Sequence, residues 1–202
     1  SISVSGGNNM TKYYISGNLF SQEGVMVNSG YRRYQGTMSI NQTLSPKLKG
    51  GVYLNYAYNK QNGVSPSAPG SGSSTAYTLF SVYGYRNFSL DGSTDLMDDL
   101  FDPFIDPTLD LRMNPVVNQQ HLLRENFGRN TIINAHLEYS ILKDLKLKTT
   151  GGINSTINQN NQFNDTSTVY GNKRTLLGSQ NGVNGSVLFY QSSTWINENT
   201  LT

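Results

Sequence analysis

The sequence predicts an all-β protein, an antiparallel meander that forms part of a large transmembrane β-barrel. Four observations predict this fold class. Apolar and polar side chains alternate with a period of two in segments of about ten residues, and short and long connections alternate between these segments. No segment keeps the apolar spacing of an amphipathic helix for three turns. No run approaches the roughly 20 apolar residues that a transmembrane helix needs.

The composition excludes several classes of protein. The 202 residues are 36% hydrophobic and 14% charged, and they include 20 Gly, 13 Tyr and no Cys. Asn, Ser, Thr and Gly separate the apolar residues, so a two-layer soluble core is hard to assemble. Without Cys the chain has no disulfide scaffold, no Cys-based zinc site and no thiol catalysis. The 15 basic and 13 acidic residues are spread along the chain, so nucleic acid is not an expected partner.

The alternation predicts seven strands. They are expected near residues 1–6, 11–21, 31–43, 49–60, 130–141, 145–158 and 185–202. The clearest pattern places Leu137 and Tyr139 on one face and Asn134 and His136 on the other, and a shift of one residue would exchange the two faces. A sheet that spans lipid must close and must present an apolar outer face. We therefore expect the apolar side chains to contact lipid and the polar side chains to line an interior.

The connections fall into two sizes that alternate along the chain. The short ones are expected at 6–9, 44–48 and 142–144, the long ones at 61–128 and 159–184, and one of intermediate length at 22–30. Outer-membrane barrels have short turns at one end and long surface loops at the other. An odd count of seven strands falls short of the minimum of eight in bacterial single-chain barrels. Both termini are therefore expected to be cuts in a longer chain that completes the barrel.

Tyrosines near the strand ends are expected to form an aromatic girdle at the membrane interfaces. The four singled out are Tyr13, Tyr34, Tyr58 and Tyr139. The alternative is that they are ordinary strand residues that pack on a soluble sheet.

Several stretches of the sequence together resemble a known family. They are YYISG at 13–17 with SQEGV at 21–25, YRRY at 31–34, LSPKLK at 44–49 with GVYLNY at 51–56, MNP at 113–115, AHLEYSILKDLKL at 135–147, and WINENTLT at 195–202. In their order and spacing they resemble the SusC/RagA class of TonB-dependent outer-membrane transporters. The stretches cover most of the chain outside its long connections.

The resemblance implies a barrel of about 22 strands that is plugged by an N-terminal domain. It implies a SusD-like lipoprotein as a lid and TonB as the source of energy, coupled through an N-terminal part that this sequence lacks. The remaining partners would be the rest of the protein's own barrel and the lipid bilayer. Such proteins lie in the outer membrane of Gram-negative bacteria and import glycans, oligosaccharides, peptides or other nutrients too large for porins.

The long connection at 61–128 carries the candidate contacts with cargo or lid, since loops of this length are usually functional or disordered. The candidates are Tyr83, Tyr85, Arg86, Asp98, Asp99, Phe101, Asp102 and Phe104. The aspartates could coordinate Ca²⁺, but their spacing is not that of an EF-hand, so a solvated loop without a cofactor is favoured. The aromatic residues could stack on sugar rings, although packing of an inward-folded loop is favoured.

No pattern in the sequence indicates catalysis. Asp98 and Asp99 are adjacent, and adjacent residues in an irregular loop rarely hold the separation that glycoside hydrolysis requires. No Ser-His-Asp order with an elbow motif and no phosphate-cradling Gly pattern is present. A nutrient importer that is not an enzyme is the leading hypothesis. A secreted or surface-attached β-rich protein that binds carbohydrate or mediates adhesion is second, and a passive porin-like barrel is third.

Overall fold

A single antiparallel sheet dominates the computed structural model, which describes residues 1–64, 81–83, 85 and 113–202. Its seven strands neighbour one another in chain order, so the predicted all-β meander is confirmed. The strands are β1 (Ile2–Gly7), β2 (Thr11–Glu23), β3 (Gly30–Ser45), β4 (Leu48–Asn62), β5 (Leu122–Leu142), β6 (Leu145–Asn164) and β7 (Asn184–Leu201). Within the described ranges, the helices α1 (Pro115–His121) and α2 (Leu176–Asn181) also lie between strands. Neither is long and apolar enough to cross a membrane.

The strand register aligns one apolar residue from every strand into a continuous row. Residues that are directly opposite in an antiparallel pair point to the same face. The successive partners are Val4, Ile15, Met38, Leu54, Ile133, Ile153 and Trp195. We call these seven residues the apolar row and the side of the sheet that carries them the apolar face.

The opposite side of the sheet, the polar face, begins one residue away on each strand. The neighbouring row there consists of Ser3, Ser16, Thr37, Asn55, Ile132, Asn154 and Thr194. Side chains on the polar face form hydrogen bonds with one another between adjacent strands. The Asn55 amide donates to the Thr37 hydroxyl at 2.9 Å, and the Asn130 amide donates to the Thr156 hydroxyl at 3.0 Å. The two faces therefore differ in chemistry as the alternation predicts.

The apolar face does not cover a dry core. Leu137, Tyr139 and Ile153 are 52%, 45% and 51% exposed, respectively. Within the described ranges, the buried side chains instead lie in or beside the two long connections, at Ser81, Tyr85, Met113, Asn114, Asn118, Gln119, Leu122, Asn164, Thr168, Val169, Asn172 and Thr175. The sheet is thus a single layer with two uncovered faces.

The short turns lie at one edge of the sheet, and the longer connections begin and end at the other. The short turns are at 8–10, 46–47 and 143–144, and the longer connections are at 24–29, 63–121 and 165–183. The expected long connections at 61–128 and 159–184 nevertheless include strand residues, because β5 already begins at Leu122 and β6 continues to Asn164. Near these ends both faces are polar, for instance at Asn160 and Asn161, so the period of two disappears from the sequence.

Candidate functional site

The edge of the sheet that carries the long connections holds an ordered cluster of loops. Its first part is α1, where the Asn114 side-chain oxygen accepts hydrogen bonds from the backbone N–H groups of Val116 at 3.0 Å and Val117 at 3.4 Å. Pro115 occupies the first helical turn, where its missing N–H is not needed. Met113 and Asn114 are almost completely buried. The helix is therefore anchored at its start and runs directly into β5.

The connection between β6 and β7 packs against α1. The backbone N–H of Val169 donates to the side-chain oxygen of Asn118 at 2.9 Å in a buried position. The fully buried Thr168 hydroxyl donates to the carbonyl oxygen of Asp165 at 2.8 Å and accepts from the N–H of Gly171 at 3.1 Å. We call residues 113–121 and 165–183 the loop cluster. Its interior is held by hydrogen bonds from side chains to backbone.

A second buried hydroxyl organises α2. Thr175 Oγ1 lies 2.6 Å from the carbonyl oxygen of Val169 and 2.7 Å from that of Asn172, within donating distance of both. The same oxygen accepts the N–H of Gly178 at 3.0 Å and so caps the N-terminus of α2. The helix ends at Asn181 and is capped by Gly182, whose φ of 60° lies in the region that glycine adopts without strain.

The connection between β2 and β3, at 24–29, joins the same cluster. Asn28 has a positive φ of 59°, which Asn tolerates better than most residues. Its side-chain amide lies 3.0 Å from the carbonyl oxygen of Gln120 and 3.4 Å from that of Gln119. These carbonyls belong to the last turn of α1, which lacks partners within the helix. Three connections therefore converge at this edge.

An open cleft of about 790 Å³ lies among these connections and the strand ends. Its charged or titratable lining residues are Glu23, Tyr31, Arg32, Lys60, His121, Arg124, Glu125 and Asp165. Two close pairs are among its lining residues: Lys60 Nζ lies 2.6 Å from Glu125 Oε1, and His121 Nδ1 lies 2.7 Å from Asp165 Oδ2. Both signs of charge are present, so the cleft suits polar uncharged or zwitterionic groups.

Arg124 ties the sheet to the loop cluster. Its guanidinium donates to the carbonyl oxygen of Phe163 at 3.1 Å and to the side-chain oxygen of Asn164 at 2.6 Å. It also lies 5.7 Å from the centroid of the Tyr170 ring. These contacts engage the guanidinium within the protein, so we assign Arg124 a structural role.

The polar face below the loop cluster is rich in side-chain amides. We call the following residues the amide wall: Gln35, Asn55, Asn59, Asn130, Asn134, Asn154 and Asn158. Each amide can donate and accept hydrogen bonds. Nearer the short turns the face becomes charged, where Lys49, Glu138 and Lys148 lie opposite one another on three strands. His136, expected on the polar side, lies on this face opposite Gly51 and Thr150.

The residues that the sequence singled out lie only partly within the described ranges. Tyr83 is 85% exposed and Tyr85 is 8% exposed, so the two aromatic side chains occupy different environments. Arg86, Asp98, Asp99, Phe101, Asp102 and Phe104 lie outside the described residues. Contact of this segment with cargo or lid, and Ca²⁺ binding by its aspartates, stay predictions.

Sequence reasoning missed the loop cluster, although local signals for its helices were present. Asn114 followed by Pro115 is a typical helix start, and Thr175 with Gly182 frames α2 in the same way. Nothing in the sequence pattern indicated that Asn118 and Val169 would meet across 51 residues.

No family model matches the chain. The chain is 28% identical over 201 residues to TonB-dependent receptor P26 of Formosa agariphila, covering 99% of this chain and 18% of that protein. It is 27% identical over 207 residues to TonB-dependent receptor P3 of the same organism, covering 100% of this chain and 19% of that protein. The chain thus spans about a fifth of the length of these curated relatives.

Solved structures with the same fold include the RagAB peptide importer. In its open-open state the TM-score is 0.67 at 18% identity, with 98% of this chain and 21% of that chain covered. In its closed-closed state the TM-score is 0.59 at 19% identity, with 81% and 18% covered. The resemblance to SusC/RagA-class TonB-dependent transporters is confirmed by these likenesses together with the curated relatives.

Proposed function

We propose that this chain is a wall segment of a TonB-dependent nutrient importer in the outer membrane of a Gram-negative bacterium. The observation that carries the proposal is the apolar row, which crosses all seven strands on one face while the amide wall occupies the other. Lipid on one side and a hydrated interior on the other account for both faces at once. Similarity to TonB-dependent receptors along the whole chain supports TonB as the energy source.

The height of the apolar face supports a membrane-spanning wall. On β4, Leu48 lies opposite Tyr139 toward the short turns, and Tyr58 lies opposite Tyr34 toward the long connections. The ten steps from residue 48 to residue 58 rise about 33 Å along the strand. At a strand tilt of 35–45° this corresponds to roughly 25 Å along the barrel axis, the height of the apolar band in outer-membrane barrels. The tyrosines would then form the girdles on both sides.

The long connections are assigned to the extracellular side and the short turns to the periplasmic side, as in other barrels of this type. The loop cluster would then stand at the outer opening, where a SusD-like lipoprotein would sit as a lid. The proposed contacts with cargo or lid remain Tyr83, Tyr85, Arg86, Asp98, Asp99, Phe101, Asp102 and Phe104. TonB would act through another part of the longer protein, and the rest of the barrel would pair with β1 and β7.

The cargo would be a polar oligomer. An amide wall offers many donors and acceptors without fixed charge, which suits the hydroxyl groups of glycans and oligosaccharides or the backbone of peptides. The structural neighbour RagAB is described as a peptide importer, which places peptides among the first cargoes to test. The proposed role is transport without catalysis.

Two adjacent isoleucines allow a matched test of the membrane assignment. Ile133 belongs to the apolar row, whereas Ile132 lies on the polar face between Asn55 and Asn154. In the full-length protein, Ile133→Lys should destabilise the barrel by about 2–4 kcal/mol because it places a charge near the bilayer midplane. Ile132→Lys should be tolerated. The folded fraction in outer-membrane preparations is measured by heat-modifiable electrophoretic mobility.

Equal effects of the two substitutions would contradict the membrane assignment. A protein that stays monomeric in solution without detergent would favour the secreted carbohydrate-binding alternative instead.

Import itself is tested by growth on defined oligosaccharides or peptides in strains with and without TonB. Uptake that does not depend on TonB would indicate a passive porin-like barrel. Co-purification of a lipoprotein with the full-length chain tests the lid.

A further inference from the structure

Three cations and three aromatic residues form a compact patch on the apolar face near the long connections. Arg32, Lys60 and Phe127 form one row across β3, β4 and β5, and Tyr34, Tyr58 and Arg129 form the next. No register irregularity separates the two rows. Side chains directly opposite lie about 5 Å apart at Cβ, and diagonal neighbours lie about 7–8 Å apart. The three long cationic side chains can therefore reach one common group.

Two of the three cations are available to an outside ligand. Lys60 is bonded to Glu125 at 2.6 Å and lies 5.1 Å from the Phe127 ring centroid. Arg32 and Arg129 are exposed, and neither has an ion-pair partner within the part of the chain that the structure describes. Glu23 lies diagonal to Arg32 on the same face, so counting the three cations against Glu125 and Glu23 leaves a net charge of +1.

The patch lies at the height of lipid headgroups. Arg32, Lys60 and Phe127 are each six residues from the apolar row on their strands. Six residues correspond to about 20 Å along a strand and to about 15 Å along the axis of a barrel with tilted strands. Half of an apolar band of about 25 Å is shorter than this. Tyr34 and Tyr58, with ring centroids 6.2 Å apart, lie just below at the edge of the band.

The corresponding level toward the short turns has no basic residue on the apolar face of these strands. Six residues from the apolar row on that side stand Leu44 on β3, Leu48 on β4 and Tyr139 on β5. General anchoring of a barrel by cationic side chains at both interfaces would place basic residues at both levels. A patch at one level fits a ligand that is confined to one leaflet.

We propose that Arg32, Arg129 and Lys60 bind a phosphate group on the headgroup of a lipid in the outer leaflet. Arginine binds phosphate oxygens in a bidentate manner, and Tyr34 and Tyr58 flank the headgroup. The acyl chains of the same lipid continue along the apolar face below, a contact that free phosphate cannot make. The inference rests on the proposed membrane placement of the apolar face.

A matched pair of adjacent arginines tests the site in the full-length protein. Arg32→Gln removes a charge from the patch, whereas Arg33→Gln removes the same charge one residue away on the polar face, opposite Phe20 and Asn59. Binding of diphosphoryl lipid A and of its phosphate-free form to detergent-purified protein is measured by native mass spectrometry. Affinity for the phosphorylated lipid should fall about fivefold with Arg32→Gln. Arg32→Gln combined with Arg129→Gln should lower it by roughly twentyfold.

Arg33→Gln should bind the lipid like the unmodified protein, and the phosphate-free lipid should bind all variants equally weakly. Equal losses with Arg32→Gln and Arg33→Gln would show an effect of net charge and overturn the site. Displacement of the lipid by millimolar inorganic phosphate would overturn the choice of a lipid. Heat-modifiable mobility verifies the folding of each variant. If Ile133→Lys destabilises the barrel and Ile132→Lys does not, but Arg32→Gln leaves lipid affinity unchanged, the membrane assignment stands and the lipid site is refuted.

Discussion

In the sheet, apolar and polar side chains lie uncovered on two faces, whereas in the loop cluster most of the buried side chains are polar. Asn118, Thr168 and Thr175 are buried, and each bonds to the backbone. Burying a polar group is unfavourable unless its hydrogen bonds are satisfied. The cluster is therefore specified by individual hydrogen bonds, while the sheet is specified by which face a side chain occupies. The two regions should respond to different substitutions.

Substitution of glycine by alanine should show the largest difference in stability loss between the two regions. A Cβ at Gly178 in α2 would lie 2.0 Å from the carbonyl oxygen of Asn172. This backbone atom can move only if the loop itself shifts. A Cβ at Gly151 in β6 would meet nothing within 4 Å. Gly178→Ala should destabilise the loop cluster by about 3 kcal/mol. Gly151→Ala should change stability by less than about 0.5 kcal/mol.

Both glycine variants are assessed in the full-length protein by hydrogen–deuterium exchange of peptides from 165–183 and from β6. Faster exchange confined to the loop cluster in Gly178→Ala is the expected result. Unchanged exchange in that variant would mean that the cluster is not closely packed around α2.

Removal of the Thr175 hydroxyl should cause the next largest loss of stability. Thr175→Val keeps the shape but removes the hydroxyl that bonds to Val169 and Asn172 and caps α2 at Gly178. The loss should be about 2 kcal/mol in the opening free energy of the cluster. Thr175→Ser keeps the hydroxyl and is the matched control. Equal exchange rates in the two variants would contradict the role of the hydroxyl.

The sheet could be predicted from the sequence because its information is local. Alternation placed Leu137 and Tyr139 on one face and Asn134 and His136 on the other, and the register agrees. The alternation of short and longer connections likewise fixed which strand ends share an edge. Toward the ends of β5 and β6 at Leu122 and Asn164, residues 124–126 and 158–162 are polar on both faces, so the alternation that reveals a strand is lost.

The loop cluster could not be predicted by the same reasoning. Its contacts join distant segments, as between Asn28 and Gln120 or between Asn118 and Val169. An Asn or Thr that is buried and bonded looks the same in a sequence as one that is solvated. The helix starts at Asn114 and Thr175 were recognisable in principle. The residues that pack against these helices are distant in the sequence and leave no local signal.

Asparagine occurs in both regions and permits a direct comparison of the same substitution. Asn118 accepts a buried N–H from Val169, while Asn55 on the amide wall donates to Thr37 in a partly buried position. Asn118→Ala leaves a buried donor without its partner and should cost about 1–2 kcal/mol. Asn55→Ala should cost about 0.5–1 kcal/mol, since water can replace the amide. Hydrogen–deuterium exchange at Val169 and on β4 measures the two losses of stability. A larger loss of stability for Asn55→Ala than for Asn118→Ala would contradict the proposed difference between the regions.

The smallest effect is expected at the contact between His121 and Asp165, on the surface of the loop cluster. The two side chains are 2.7 Å apart but substantially exposed, and the contact is an ion pair only when His121 is protonated. Asp165→Asn removes the charge but keeps a side-chain oxygen that can accept the N–H of Ser167. Solvent screening should therefore limit the loss to less than about 1 kcal/mol, and added salt should reduce it further. Exchange at 165–171 in low and high salt measures this. A loss as large as that of Thr175→Val would place the charge pair, rather than the buried hydroxyls, at the centre of the cluster.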